Sequence, residues 1–185
     1  MEGGGQGADE AAGLDGVLLT TPAYNKPPQA GLIAHFQTIA NATSLPCLLY
    51  NIPGRSAVNM TAATMLTLAE VPNIVGVKES SEDFGQIGQV IAHAPEGFRV
   101  WSGNDTDTPM VMALGGYGVV SVASHLVGTQ IRQMLDAFLE ERLLVLEARA
   151  RKTVKTGASP EAEQAAVQRL LRDGGDAVSP VPPDR

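Results

Sequence analysis

Apolar and polar positions along the chain alternate between two rhythms. Short apolar runs at 16–20, 47–50, 74–77, 98–101 and 118–123 are bounded by turn-forming residues and read as strands. Between them, apolar residues recur at helical spacings. Leu32, Phe36, Ile39 and Ala40 mark one such stretch, and Met65, Leu68 and Ala69 mark a second over 61–70. Phe84, Ile87 and Ile91 mark a third over 84–92, and further helices are predicted at 109–114 and 126–139. Successive strands begin about 20 to 30 residues apart, which is the rhythm of βαβ units, so the fold class is α/β with a parallel sheet. No sequence repeat accompanies that rhythm. Past Leu139 the pattern changes. A charged helix is predicted over 140–155, and Ser159-Pro160-Glu161 reads as the cap and first turn of another helix reaching 172. Residues 173–185 are rich in Gly, Pro and Asp and read as disordered. The predicted organisation is therefore an α/β domain over 1–139, helices over 140–172 and a tail.

Composition narrows the function classes. The chain has 185 residues, with 13 Lys and Arg against 20 Asp and Glu, for a formal charge of −7. That is enough chain for one core. The acidic balance and the lack of any basic stripe argue against a nucleic-acid partner. No apolar stretch approaches the roughly 20 residues of a membrane span. Residues 1–12 are Gly-rich and acidic and lack the parts of a signal or transit peptide, so the expected compartment is the cytoplasm, or a plastid if a transit peptide precedes them. The single cysteine, Cys47, lies in an apolar run and reads as a reduced core residue. Asn-x-Thr triplets at Asn41, Asn59 and Asn104 are chance matches in that setting.

The third strand carries the most informative chemistry. The segment 73–79 is an uncharged, β-branched run that ends in Lys78 and Glu79. A lysine at a strand end sits at the mouth of a parallel sheet, where α/β proteins place their chemistry. Burial there would disfavour the ammonium form and free an amine nucleophile for Schiff-base formation. A strand-end lysine also snorkels to solvent in many sheets, and the neighbouring strand ends decide between the two. Tyr24 follows the first strand. Tyr50, Asn51 and Arg55 follow the second, and Ser102, Gly103, Asn104 and Asp105 follow the fourth, while Ser121 and Ser124 mark the end of the fifth. In a parallel sheet all these ends share one edge. A phenol near the amine can shuttle protons, and an arginine can hold a carboxylate through two parallel hydrogen bonds. Glu79, Asp105 and Asp107 are candidates to tune the lysine. The three histidines, His35, His93 and His125, are too scattered for a metal site. Gly115-Gly116-Tyr117-Gly118 precedes a strand rather than opening a helix, so it reads as a tight turn and not a phosphate loop. The methionines read as core fillers.

At these residues the chain resembles a known family. The segments Thr21-Pro22-Ala23-Tyr24-Asn25-Lys26-Pro27, Tyr50-Asn51-Ile52-Pro53-Gly54-Arg55, Gly76-Val77-Lys78-Glu79 and 115–122 look like motifs of the 4-hydroxy-tetrahydrodipicolinate synthases. These enzymes, also called dihydrodipicolinate synthases, are pyruvate-dependent class I aldolases. The motifs match in order and spacing from about Ala8 to about Leu139. The arginine of the Tyr-Asn-x-Pro-x-Arg segment favours the synthase over N-acetylneuraminate lyase and the sugar-acid aldolases.

The resemblance implies a (β/α)8 barrel enzyme of lysine biosynthesis through diaminopimelate. Lys78 would form a Schiff base with pyruvate, Tyr50 would donate and accept protons beside it, and Tyr24 would join the proton relay across a tight dimer interface. Arg55 would receive the carboxylate of aspartate 4-semialdehyde, and the backbone at Val120 would line the pyruvate pocket. The family is built as homo-oligomers, tetramers made of dimers, and requires no metal or other cofactor. The chain also departs from the family. A complete barrel has eight strands and about 250 residues, whereas five strands are expected here, corresponding to strands four to eight. The family's Gly-Thr-Thr-Gly-Glu segment, which holds the pyruvate carboxylate, is absent. Ala23 stands where many members have a second tyrosine of the lysine-inhibition site, and Glu82 and Phe84 stand where Gly and Leu are common. Five strands leave two open edges, so an isolated chain is expected to depend on a partner. Two alternatives remain open: a related pyruvate-dependent sugar-acid aldolase, and a non-catalytic fragment that acts as an interaction subunit.

Overall fold

The five apolar runs form one parallel sheet. A computed structural model describes residues 13–22 and 24–153, with side chains to 145. The strands are β1 (Val17–Thr20), β2 (Cys47–Asn51), β3 (Ile74–Glu79), β4 (Arg99–Ser102) and β5 (Gly118–Val119). They lie in sequence order, and every neighbouring pair is parallel. The α/β class expected from the sequence is therefore observed. The connections carry α1 (Gln29–Ala40), α2 (Pro53–Ser56), α3 (Ala62–Ala69), α4 (Phe84–His93), a 3-10 turn (Asp105–Asp107) and α5 (Thr108–Leu114). A last helix, α6 (Ser124–Thr153), follows the sheet.

Strand side chains alternate between two faces, and the two faces differ in kind. Cys47, Leu49, Ile74, Val77 and Val100 are buried in one cluster with Leu32, Phe36 and Ala40 of α1, Met65 and Leu68 of α3, Ile87 and Val90 of α4 and Val111 of α5. All four of these helices therefore pack on one face of the sheet. The other face carries Leu18, Thr20, Leu48, Tyr50, Lys78, Arg99 and Trp101, all exposed or half-buried. Caps support the helices. Thr61 accepts a hydrogen bond from the Thr64 amide at the start of α3, and Asp83 accepts one from Gln86 at the start of α4. Gln29 ties α1 to α3 through the Thr61 amide (3.1 Å), the Thr64 hydroxyl (2.6 Å) and the Asn59 carbonyl (2.8 Å). Cys47 is a buried free cysteine, and burial pushes its thiol above the ordinary range.

Several boundaries differ from the sequence expectation, each for a local reason. The Pro53-Gly54 pair opens α2 instead of a plain turn, because Pro53 fits the first turn of a helix and Ala57 closes it with φ 56°. The fifth strand stops at Val119, not Ala123. The Val120 amide still reaches the Ser102 carbonyl (2.9 Å), but the Ser121 hydroxyl and the Val122 amide turn to the Asp105 carboxylate. The helix expected to end at Leu139 does not end there. α6 runs through 139/140, and its one non-helical residue is Val127. The compact units divide between Val122 and Ala123. Residues 1–12, Ala23, the second helix of 159–172 and the tail of 173–185 lie outside the described residues. No described helix is long and apolar enough to cross a membrane.

Gly76 is required by close approach. A Cβ there would overlap the Arg99 carbonyl oxygen and lie 2.5 Å from Trp101 Cζ3, so the Trp101 ring lies against a bare stretch of β3. Gly76→Ala is therefore expected to cost about 3 kcal/mol, the upper end for an overpacked position. Urea denaturation against the parent chain measures it.

Candidate active site

Parallel register lines up one residue from each strand along the half-exposed face. Thr20 is level with Tyr50, Tyr50 with Lys78, Lys78 with Trp101, and Trp101 with Gly118. This row lies near the carboxyl ends of the strands, the edge where open α/β sheets bind ligands. Lys78 is at its centre. Its Nζ lies 4.2 Å from the centroid of the Tyr50 ring, on the β2 side. On the β4 side, Trp101 packs edge-on against Tyr117 with ring centroids 5.2 Å apart. Arg99 sits over the same Tyr117 ring at 5.3 Å.

The lysine's neighbour Glu79 points to the opposite, helix-covered face and is only 2 % exposed. Its carboxylate accepts hydrogen bonds from Asn51 Nδ2 (3.1 Å to each oxygen) and from the Ser81 amide (2.8 Å). Asn51 is also fully buried. It donates to Asn59 Oδ1 (2.8 Å) and accepts from the Met60 amide (3.0 Å). Asn59 in turn donates to Gln86 Oε1 (2.9 Å). A polar network thus crosslinks the ends of β2 and β3 directly beneath Tyr50 and Lys78. Loss of water pushes the Glu79 carboxyl up, and hydrogen bonds from Asn51, Ser81 and Gln86 oppose that shift without cancelling it.

Tyr50 and Lys78 share one register position and touch. Arg55 stands exposed on α2. Val120 is half-buried just past β5. Tyr24 is 104 % exposed, with φ 63° in the loop after β1. Asp105 faces Ser121 and Val122, and Asp107 accepts from Asn104 (2.8 Å), so both serve the β4 and β5 loops. Glu79 reaches the lysine only through the backbone. Sequence reading did not single out Trp101, Thr20 or Ser80. For Trp101 and Thr20 the signal was available, because both lie on the lysine's side of the two-residue period. Among the described residues, no group of three or more His, Cys, Asp and Glu side chains is placed to hold a metal ion.

A model of the dihydrodipicolinate synthetase family matches residues 6–177. The chain belongs to that family. The match runs well past Leu139, where the recognisable motifs stop, so the charged helix segment is family sequence and not an unrelated addition. Over 128 residues the chain is 56% identical to the 4-hydroxy-tetrahydrodipicolinate synthase of Symbiobacterium thermophilum, covering 69% of this chain and 43% of that protein. It is 44% identical over 174 residues to the synthase of Listeria welshimeri, covering 93% of this chain and 59% of that one. The crystal structure of the Cyanidioschyzon merolae enzyme, solved with lysine bound, superposes with a TM-score of 0.69 at 41% identity, covering 94% of this chain and 61% of that one. The chain thus spans about half the length of the curated relatives it matches.

The buried Glu79 carboxyl gives stability a pH dependence of definite sign. Its folded-state pKa lies above the ordinary 4.5, so the folded chain binds more protons than the unfolded chain between the two values. Its contribution is therefore greatest in acid and falls as pH rises through that window. Urea midpoints measured over a pH series should show the stability of the parent chain relative to Glu79→Gln falling in that direction, with no such trend contributed by the variant. A relative stability of the parent that rises with pH would show that the carboxylate is favoured, not disfavoured, by its surroundings.

Proposed function

We propose that this chain carries the imine-forming part of a 4-hydroxy-tetrahydrodipicolinate synthase. In this reading its five βα units correspond to strands four to eight of a (β/α)8 barrel. The observation that carries it is the Lys78–Tyr50 pair: an amine against a phenol ring, level on adjacent parallel strands, at the carboxyl edge of the sheet. Relatives named as this synthase, at 44–56% identity, support the same reading.

Lys78 attacks the keto carbon of pyruvate and, with loss of water, forms the Schiff base. Tyr50 passes the protons of that step and of the enamine that follows. The enamine carbon then attacks the aldehyde of aspartate 4-semialdehyde, and the amine of that substrate displaces the Lys78 nitrogen by transimination as the ring closes. Arg55, exposed on the short helix that follows Tyr50, receives the carboxylate of that aldehyde. The backbone at Val120 lines the pyruvate side of the pocket. Tyr24 works in a neighbouring protomer: its full exposure in one chain fits a residue that completes another chain's site. The working unit is accordingly a homo-oligomer. No cofactor enters these steps, since the protonated imine formed on Lys78 is itself the electron sink.

Borohydride trapping in the presence of pyruvate tests the reading. One reduced pyruvate adduct, mapped by peptide mass to Lys78 and missing from Lys78→Ala, is the expected result. Tyr50→Phe should slow trapping roughly a hundredfold, the lower range for loss of a positioned proton carrier. A folded chain that gives no adduct on Lys78 would sink the catalytic reading and favour a non-catalytic subunit.

A further inference from the structure

Ser80 follows Glu79 at the end of β3 and returns to the face that carries Lys78. It is 7 % exposed, and its hydroxyl oxygen is buried without a hydrogen-bond partner among the described residues. Buried hydroxyls are nearly always paired, so an orphan beside a candidate nucleophile calls for an explanation. Its position is fixed by Gly103, the first residue after β4. The Gly103 amide is held by the Glu79 carbonyl (2.8 Å), and the Ser80 amide is held by the Asn51 carbonyl (2.8 Å). A Cβ on Gly103 would overlap Ser80 Oγ and would lie 3.0 Å from Lys78 Cε and 3.1 Å from Lys78 Cγ. The hydroxyl and the lysine stem therefore occupy the same small space over a bare glycine. Tyr50 lies against Lys78 from β2, and Ser80 Oγ lies over Gly103, which follows β4.

We propose that Ser80 is a catalytic residue for chemistry on Lys78, donating its hydroxyl hydrogen to the carbinolamine oxygen that precedes the imine. The proposal deepens the imine-forming reading and rests on it. The amine nitrogen bonds to the carbonyl carbon, and the carbonyl π pair moves to oxygen. That oxygen takes up a proton and the nitrogen gives one up. Next the carbon–oxygen bond breaks, the oxygen leaves as water with a second proton drawn from solvent, and the nitrogen lone pair closes the C=N bond of a protonated imine. Ser80 is neither oxidised nor consumed. It stabilises the oxygen as charge develops there. A serine hydroxyl has one hydrogen to give and two lone pairs, so one residue can serve both the attack and the departure. The unpaired state of the hydroxyl in the free chain leaves it ready for that oxygen.

Two labelling reactions on the full chain separate this role from a packing role. Formaldehyde with cyanoborohydride passes through a carbinolamine, whereas acetic anhydride reports amine access and basicity without one. Exposed Lys26 serves as the internal reference in both. In Ser80→Ala, reductive methylation of Lys78 relative to Lys26 should fall about tenfold, the scale of one hydrogen bond. Acetylation of Lys78 relative to Lys26 should be unchanged at every pH. Ser80→Cys, which keeps the shape with a weaker donor, should fall between the two. Circular dichroism verifies that each variant is folded. Equal slowing of both reactions, or of neither, overturns the proposal. Pyruvate trapping run alongside keeps the two readings distinct. If pyruvate never labels Lys78 but the methylation ratio falls as stated, the keto-acid reading fails and the role of Ser80 stands. If pyruvate labels the parent chain and Ser80→Ala at equal rates, the role of Ser80 fails and the keto-acid reading stands.

Discussion

The register of β2 against β3 is the constraint on which the site depends. Tyr50 meets Lys78 only because the two strands pair at that step. A slip of one residue would turn one of the two side chains into the helix layer. The buried pair one step further along guards against it. Asn51 and Glu79 share a register position on the covered face, and the carboxylate finds its hydrogen bonds only there. Out of register, the acid would face Leu49, Val77 and their neighbours with no donor, a state far costlier than the paired one. The network is therefore better understood as fixing one arrangement than as a source of net stability, because desolvation of the acid offsets much of what its hydrogen bonds contribute.

The two faces of the sheet divide the work. The covered face holds the apolar residues that make the helices pack, and burying each large side chain there contributes about 1.5–3 kcal/mol. The half-exposed face holds Tyr50 and Lys78, the groups proposed to react. Gly76 and Gly103 mark the boundary between these demands. At each, the missing side chain makes room for side chains of the half-exposed face, Trp101 in one case and Lys78 with Ser80 in the other. In both cases the constraint is imposed from the adjacent strand, β4 on β3 or β3 on the β4 loop, so it belongs to the assembled sheet and not to either strand alone.

The same distinction explains what was legible in the sequence. The five strands, the main helices and Lys78 at a strand end were readable because each is written in a local period. The nearness of Tyr50 to Lys78 followed once the strands were taken as parallel neighbours. The end of β5 was not readable, because it depends on Asp105 from the preceding loop competing for Ser121 and Val122. The short helix that carries Arg55 was hidden by Pro-Gly, a pair that ends one element and can begin another. The particular roles given to Tyr24, Arg55 and Val120 came from resemblance, because strand periodicity does not place residues that follow β1, β2 and β5. Ser80 was invisible for a different reason. Ser80-Ser81 after a strand has ordinary turn composition, and the burial of its hydroxyl is set by Gly103, one strand away.

These observations separate the proposed chemistry into a local and an assembled part. The amine, the phenol and the serine hydroxyl lie on β2, β3 and the step beyond β3, and they are held by hydrogen bonds among β2, β3 and β4. Their arrangement asks nothing of the outer strands. Recognition of the two carboxylate-bearing substrates is different in kind. The groups assigned to it, Arg55 and Val120, sit in the segments that follow β2 and β5, and Tyr24 follows β1. Each stands on a loop or short helix whose position is set by more than the sheet register. A chain of this construction can retain the bond-forming step while losing affinity or selectivity, because orienting a substrate needs several fixed points and an imine needs one amine in the right surroundings.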